Sequence, residues 1–322
     1  MNFRPLKVAL LAGGVGGAKL AEGLAEVHEI ELSIIGNIGD DDIFHGLTVS
    51  PDIDTLCYSL SSMVNRSQGW GVANDDYKAL SLLKKLGSDT WMLLGDTDFG
   101  LHIYRSNRLR AGDRPSEILN DITNALDIKA KVVLPTDDQI KTKIKTDSGW
   151  LSFQEYFVKE RCLPKVLDIR YEGASSSKPT KEVINQLENA DLIVIAPSNP
   201  ILSIAPILAV PSIKELLLLS KAPIIAVSPM IAGKAVKGPA GTIMESLNMR
   251  VDSHGVANFY KEFLDVILID SQDKHLKAEI EILGLSVKLE NILMNTQREK
   301  MVLASKVIEI GKEAISKGIR NG

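Results

Sequence analysis

Lys7-Val8-Ala9-Leu10-Leu11-Ala12-Gly13-Gly14-Val15-Gly16-Gly17 is the stretch that decides the fold. An almost unbroken apolar run ends in four glycines among the five residues 13–17, and a small-residue segment, 18–27, follows with helical spacing. An apolar run without alternation reads as a strand buried on both faces, as in a parallel sheet covered by helices. A glycine turn between such a strand and a helix lets backbone N–H groups approach a phosphate unobstructed, and the helix N-terminus adds partial positive charge. The same residues also suit a tight βα turn that holds no ligand.

Working outward, the strand-and-helix alternation recurs. Residues 32–36 (LSIIG), 90–94, 131–134, 192–196 (LIVIA), 223–227 and 266–269 read as further strands, with helices over 181–189 and 296–317. This order predicts an α/β, Rossmann-like fold: a mostly parallel sheet with helices on both faces. The segment 136–179 has another character. It carries an alternating Lys-Thr-Lys-Ile-Lys-Thr run, the aromatic cluster Trp150-Leu151-Ser152-Phe153-Gln154-Glu155-Tyr156-Phe157 and Ser175-Ser176-Ser177. It is expected to form a smaller inserted β-rich lobe on a nucleotide-binding core made of 1–135 and 180–322.

Composition narrows the function classes. The 322 residues are 45% hydrophobic and 24% charged, with a net charge of −4 and no basic block. A dedicated nucleic-acid binder would show a basic patch or stripe. The two cysteines, Cys57 and Cys162, are far apart, which argues against a disulfide framework or zinc site and for a reducing compartment. The most apolar stretch, 192–210, is interrupted by Pro197, Pro200 and Pro206, so no membrane span is expected, and the first residues do not read as a signal peptide. A cytoplasmic location is the expectation.

The glycine turn fits neither common nucleotide pattern. Counting from Gly14 and Gly16, Lys19 stands where the dinucleotide fingerprint needs its third glycine, and the second strand ends at Gly36-Asn37 instead of at a ribose-binding acid. No Gly-Lys-Ser/Thr follows to make a P-loop. Leu11-Ala12-Gly13-Gly14-Val15-Gly16 also looks like the start of a sugar nucleotidyltransferase.

Three acidic groups follow expected strands: Gly39-Asp40-Asp41-Asp42, Pro51-Asp52-Ile53-Asp54 and Gly95-Asp96-Thr97-Asp98. In an open α/β sheet, ligands bind outside the carboxyl ends of the strands. Carboxylates beside a diphosphate point to Mg²⁺, a hard ion held by one or two carboxylates plus phosphate oxygens. Asp40 and Asp54 are the leading metal or substrate ligands, although aspartates also cap helices and make turns. His102 and Arg105, three apart on a helix, share a face that suits phosphate or simply solvent. Trp70 suits stacking on a flat ring or burial in a core. Ser198 and Asn199, between Pro197 and Pro200, place polar groups in a rigid loop after a buried strand, and Lys234 and Lys237 offer charge to a phosphate.

In ordered combination, these residues identify a resemblance. Gly13-Gly14-Val15-Gly16-Gly17-Ala18, Asn37-Ile38-Gly39-Asp40-Asp41, Ser50-Pro51-Asp52-Ile53-Asp54-Thr55, Gly69-Trp70-Gly71, Gly95-Asp96-Thr97-Asp98 with His102 and Arg105, Phe153-Gln154, Ala196-Pro197-Ser198-Asn199-Pro200 and Lys237-Gly238-Pro239-Ala240 resemble the 2-phospho-L-lactate transferase family of coenzyme F420 biosynthesis, nearly end to end. The resemblance implies a Mg²⁺-dependent transferase that moves a phospholactyl, phosphoenolpyruvyl or phosphoglyceryl group from a diphosphoguanosine donor to the ribityl hydroxyl of the deazaflavin Fo, releasing GMP. It implies Asp54 and Asp40 as catalytic and metal-holding residues. The donor nucleotide is expected on Gly13, Gly14, Val15, Gly16, Gly17, Ser198 and Asn199, and Fo on Asp54, Asp52, Trp70, Asp98 and His102. A homodimer is expected on the same ground. Leu93 and Thr97 stand where the family often carries a basic residue, so a charged contact from those positions is not expected here. Two rival readings remain: a nucleotidyltransferase releasing pyrophosphate, and a non-catalytic regulator that binds nucleotide sugars on the same fold.

Overall fold

The computed structural model describes residues 4–236 and 238–320; Lys237 lies outside the described residues. Seven strands form one sheet. From edge to edge they run Ser286–Glu290, Val266–Asp270, Ile224–Val227, Leu192–Ile195, Leu6–Ala12, Ile30–Gly36 and Lys131–Val133, all parallel. The first strand lies inside the sheet beside the middle strand Leu192–Ile195, with Leu10 level with Ile34 on one side and Val194 on the other. The order changes direction there, as in doubly wound dinucleotide folds.

Burial explains the lack of polar alternation in these strands. Val8, Leu10 and Ala12 face one core, shared with Leu20 and Leu24 of helix Gly14–Ala25, Ile53 and Leu56 of helix Pro51–Leu60, and Leu303 and Val307 of helix Gln297–Ser316. Ala9 and Leu11 face a second core with Val183 and Leu187 of helix Lys181–Glu188, Ile213 and Leu217 of helix Ile213–Leu219, and Val256 and Tyr260 of helix Ser253–Tyr260. Each fully buried aliphatic side chain contributes roughly 1.5–3 kcal/mol of transfer free energy.

Four details depart from expectation. The helix after the glycine turn starts at Gly14, not residue 18, so the turn is itself the helix's first turn. Residues 90–94 form no strand: they lead into helix Asp96–Ala111, and Leu94 packs in a satellite cluster with Val49, Leu80 and Phe99, away from the sheet. The edge strand Ser286–Glu290 was not anticipated, because of its five residues only Val287 is fully buried. Two short hairpins, Asp42–Phe44 with Leu47–Val49 and Met230–Ile231 with Lys234–Ala235, add to the rim.

A separate three-stranded antiparallel sheet joins Lys141–Thr146 to Gly149–Ser152 and Asp168–Glu172. It is tied to the main body at the acidic rim: Thr142 N–H donates to Gly39 O at 2.7 Å and Gln154 Nε2 to Asp40 O at 3.1 Å. Among the described residues, no single helix is long and apolar enough to cross a membrane. The bent pair Pro200–Leu208 and Ile213–Leu219 has the length and composition, but its Ile204, Ile207, Ile213 and Leu217 lie in the second core.

Candidate active site at the switch point

The chain leaves strand Leu6–Ala12 toward one face of the sheet and leaves its neighbour Leu192–Ile195 toward the other. The glycine turn and the Pro197-Ser198-Asn199 loop therefore emerge side by side at the carboxyl edge, in the crevice where such sheets bind ligands. The two loops are locked together. Ser198 Oγ donates to Gly13 O at 2.7 Å and accepts from Gly13 N–H at 3.2 Å. A Cβ on Gly16 would stand 2.1 Å from Pro197 O, and one on Gly13 would stand 2.6 Å from Asp52 Oδ2. Close approach of the Pro197 backbone at Gly16, and of the Asp52, Ser203 and Asn37 side chains at Gly13, is what requires glycine at these two positions, more than φ freedom. Asn199 Oδ1 accepts from Ile201 N–H at 2.9 Å and Leu202 N–H at 3.1 Å, while its buried Nδ2 donor has no partner.

The acidic residues divide into two groups. In the first, fully buried Asn37 follows the second strand and donates from Nδ2 to Asp52 Oδ2 at 2.9 Å, while its Oδ1 accepts from Gly39 N–H at 2.9 Å. Asp52 and Asp40 are both buried. Burial raises the Asp52 carboxyl to about 6, against the pull of Asn37 and the Gly14 N–H. Asp40 is raised well above the usual carboxylate range by burial, then by the negative charge of Asp52. Asp41 is raised in the same direction, again mainly by desolvation, although Ser50 Oγ donates to it at 2.7 Å. One buried oxygen each of Asp40 and Asp41 has no hydrogen-bond partner.

The second group is compensated. Arg105 reaches both oxygens of Asp54, contacting Oδ1 with Nη2 and Oδ2 with Nη1, the latter at 3.2 Å. Ser50 N–H also donates to Asp54 Oδ2 at 3.3 Å. His102, one turn before Arg105, sits with Nδ1 3.7 Å from Asp54 Oδ2, and burial lowers its pKa below the usual imidazole value. Tyr58, one turn after Asp54, donates its hydroxyl to Asp98 Oδ1 at 2.7 Å, and Asp98 Oδ2 accepts from Gly95 N–H at 3.0 Å.

The residues named from sequence are thus drawn to one rim, with Asp40 and Asp52 beside the glycine turn and Asp54, Asp98 and His102 along the Arg105 side. Trp70 lies on an exposed loop, and Lys234 is exposed on its hairpin. Thr97 is engaged with Asp75, its N–H and hydroxyl both donating at 2.9 Å, and Leu93 is exposed. Asn37 is a further residue of this rim, one to which the sequence motif alone assigns no role. Its position directly after the second strand, at the same edge as the glycine turn, was the available signal.

Sheet order and site together define a doubly wound α/β protein with its polar centre at the switch point. Residues 8–306 match the family described as 2-phospho-L-lactate transferase CofD. The chain is 38% identical over 307 residues to a 2-phospho-L-lactate transferase of Methanocaldococcus jannaschii, covering 94% of this chain and 97% of the relative. It is 36% identical over 302 residues to that of Methanococcoides burtonii, covering 94% and 98%. Among solved structures, a Bacillus halodurans protein of the upf0052 family shares the fold, with a TM-score of 0.62 at 16% identity over 95% of this chain and 99% of that one. The chain belongs to the 2-phospho-L-lactate transferase CofD family.

Proposed function

We propose that the protein transfers a three-carbon phosphoacid group from a diphosphoguanosine donor to the ribityl hydroxyl of the deazaflavin Fo, with release of GMP, in coenzyme F420 biosynthesis. The observation that carries the proposal is the pairing of a glycine turn, locked to Ser198, with buried uncompensated carboxylates on the same rim, in a chain of this family. The N–H groups of the glycine turn bind the donor's phosphates, where negative charge builds during transfer. The Asn199 Nδ2 donor supports the nucleotide side. On the acceptor side, Asp54 is fixed by Arg105 and retains lone pairs to orient the attacking hydroxyl, with Asp52, Asp98, His102 and Trp70 around Fo.

The residues present fit Mg²⁺. Among the described residues no set of three or more His, Cys, Asp or Glu side chains forms a ready-made metal site. The partnerless oxygens of Asp40 and Asp41 are the donors an oxygen-seeking ion takes, with phosphate oxygens completing its shell. Both Asp54 oxygens are engaged by Arg105, so the metal reading rests on the Asp40 side and Asp54 is assigned to the acceptor. The ion, when bound, neutralises phosphate charge. We further propose that 136–179 acts as a lobe steadying Asp40 through Gln154, and that the protein works in the cytoplasm as a homodimer.

The test is incubation with Fo, Mg²⁺ and each of the lactyl, enolpyruvyl and glyceryl donors, followed by chromatography. GMP and a more anionic deazaflavin are expected. Pyrophosphate release from a nucleoside triphosphate, or no product with any donor, overturns the assignment.

A further inference from the structure

A cavity of about 350 Å³ opens beside the glycine turn and shares none of the acidic-rim residues described above. Val15, on the turn, forms one wall; Lys19 follows one helical turn later, and Arg66, Lys300 and Glu22 line the rest. Arg66 and Lys300 thus face one carboxylate, Glu22. That carboxylate is buried, and both of its oxygens hold cations in place: Glu22 Oε1 accepts from Arg66 at 2.7 Å and Oε2 from Lys300 at 2.5 Å. Lys300 is itself buried, whereas the Arg66 side chain is half exposed. The N-terminus of the 20-residue helix Gln297–Ser316 converges on the same space, with Gln297 in the lining. An ammonium and a guanidinium pre-oriented by a buried acid make a seat for an anion.

We propose that this cavity binds an anionic group, and that its shared wall with the glycine turn makes it the seat of the carboxylate on the transferred three-carbon group. The proposal rests on the donor assignment above. A diphosphate on the turn would leave its acid-bearing end beside Val15, and a carboxylate there meets Arg66 and Lys300. The acidic rim does not suit that carboxylate, because Asp40 and Asp52 already lack compensating charge. Arg66 and Lys300 are then specificity-determining residues, selecting donors that carry an acid.

Two variants test this without disturbing the core. Arg66→Met removes the exposed cation. Gln297→Glu places a negative charge in the cavity at a helix position where an acid favours the helix. Each should raise KM for the lactyl donor about tenfold, the scale of one charge-assisted hydrogen bond, with little change in KM for an ethyl diphosphoguanosine donor that lacks the carboxylate. Arg66→Lys should restore most of the loss, and GDP affinity by calorimetry should stay at the wild-type value. Unchanged lactyl-donor KM in both variants overturns the inference. So does a loss confined to inorganic phosphate binding, which would make the site one for a free ion. If the wild type releases no GMP, the functional assignment fails instead; calorimetry of the lactyl and ethyl donors then decides the cavity alone, equal affinities counting against it.

Discussion

Asp52 and Asp54 lie two residues apart in the first turn of one helix, both buried, yet their settings are opposite. Asp54 is gripped by Arg105, which itself comes from a different helix. Asp52 faces Asp40 with only the neutral donors Asn37 and Gly14 for company. The difference separates two uses of a buried carboxylate. One is structural positioning, in which the charge is neutralised within the fold. The other is a vacancy of charge, which the fold tolerates and a cationic ligand relieves. The second arrangement costs stability by itself and is the pattern expected where binding must supply what folding withholds.

The sharpest way to break this contrast is to remove the compensation. Arg105→Met leaves Asp54 buried and unpaired, and should lower unfolding stability by about 3–5 kcal/mol in urea titrations. Adding Asp54→Asn should recover much of that loss, because the stranded charge is gone. A single variant within about 1 kcal/mol of wild type would mean that the pair is not what stabilises this side.

The uncompensated side should respond in the opposite sense. Asp40→Asn removes a desolvated, repelled charge, so the apo protein should gain about 1 kcal/mol of stability. Under the proposed function, the same variant should lose on the order of 10²-fold in kcat and bind Mg²⁺ more weakly. A variant that kept full activity, or that became less stable without added metal, would erase the distinction between the two sides.

Much of this architecture is legible in the residues. The first strand and the 192–196 run are apolar without alternation and end in glycine or proline, so strand, turn and edge follow together. The edge strand Ser286–Glu290 escapes because its half-polar residues carry no burial signal. Residues 90–94 mislead for the converse reason: Met92 and Leu94 serve a satellite cluster beside helix Lys78–Lys85, while Leu93 is exposed. At the site, the acidic groups and the His102–Arg105 spacing are visible, but the partner of each is not. Arg105 meets Asp54 across 51 residues, and Lys300 meets Glu22 across 278. Which aspartate is compensated is a property of the packed sheet edge, and no local pattern encodes it.

The smallest expected effect is also the most selective, because Asp52 and His102 titrate in opposite directions. Folding raises the Asp52 carboxyl from 3.8 to about 6, so the native state holds that proton more tightly than the unfolded chain. This contribution is full at low pH and is lost as pH rises through about 6. Folding lowers the His102 pKa below 6.5, so the unfolded chain takes up the proton first, and stability from His102 is lost as pH falls below that value. Between about pH 7 and 5, the Asp52 group alone should add about 1 kcal/mol to stability on acidification. Urea midpoints measured across that range should therefore fall more steeply on acidification in Asp52→Asn than in wild type, and less steeply in His102→Gln. Saturating Mg²⁺ should shrink the Asp52 difference, since a bound cation favours the ionised carboxylates, and should leave the His102 difference in place. If both variants shift in the same direction, or if Mg²⁺ acts on the His102 slope, then Asp52 and Asp54 share one electrostatic environment.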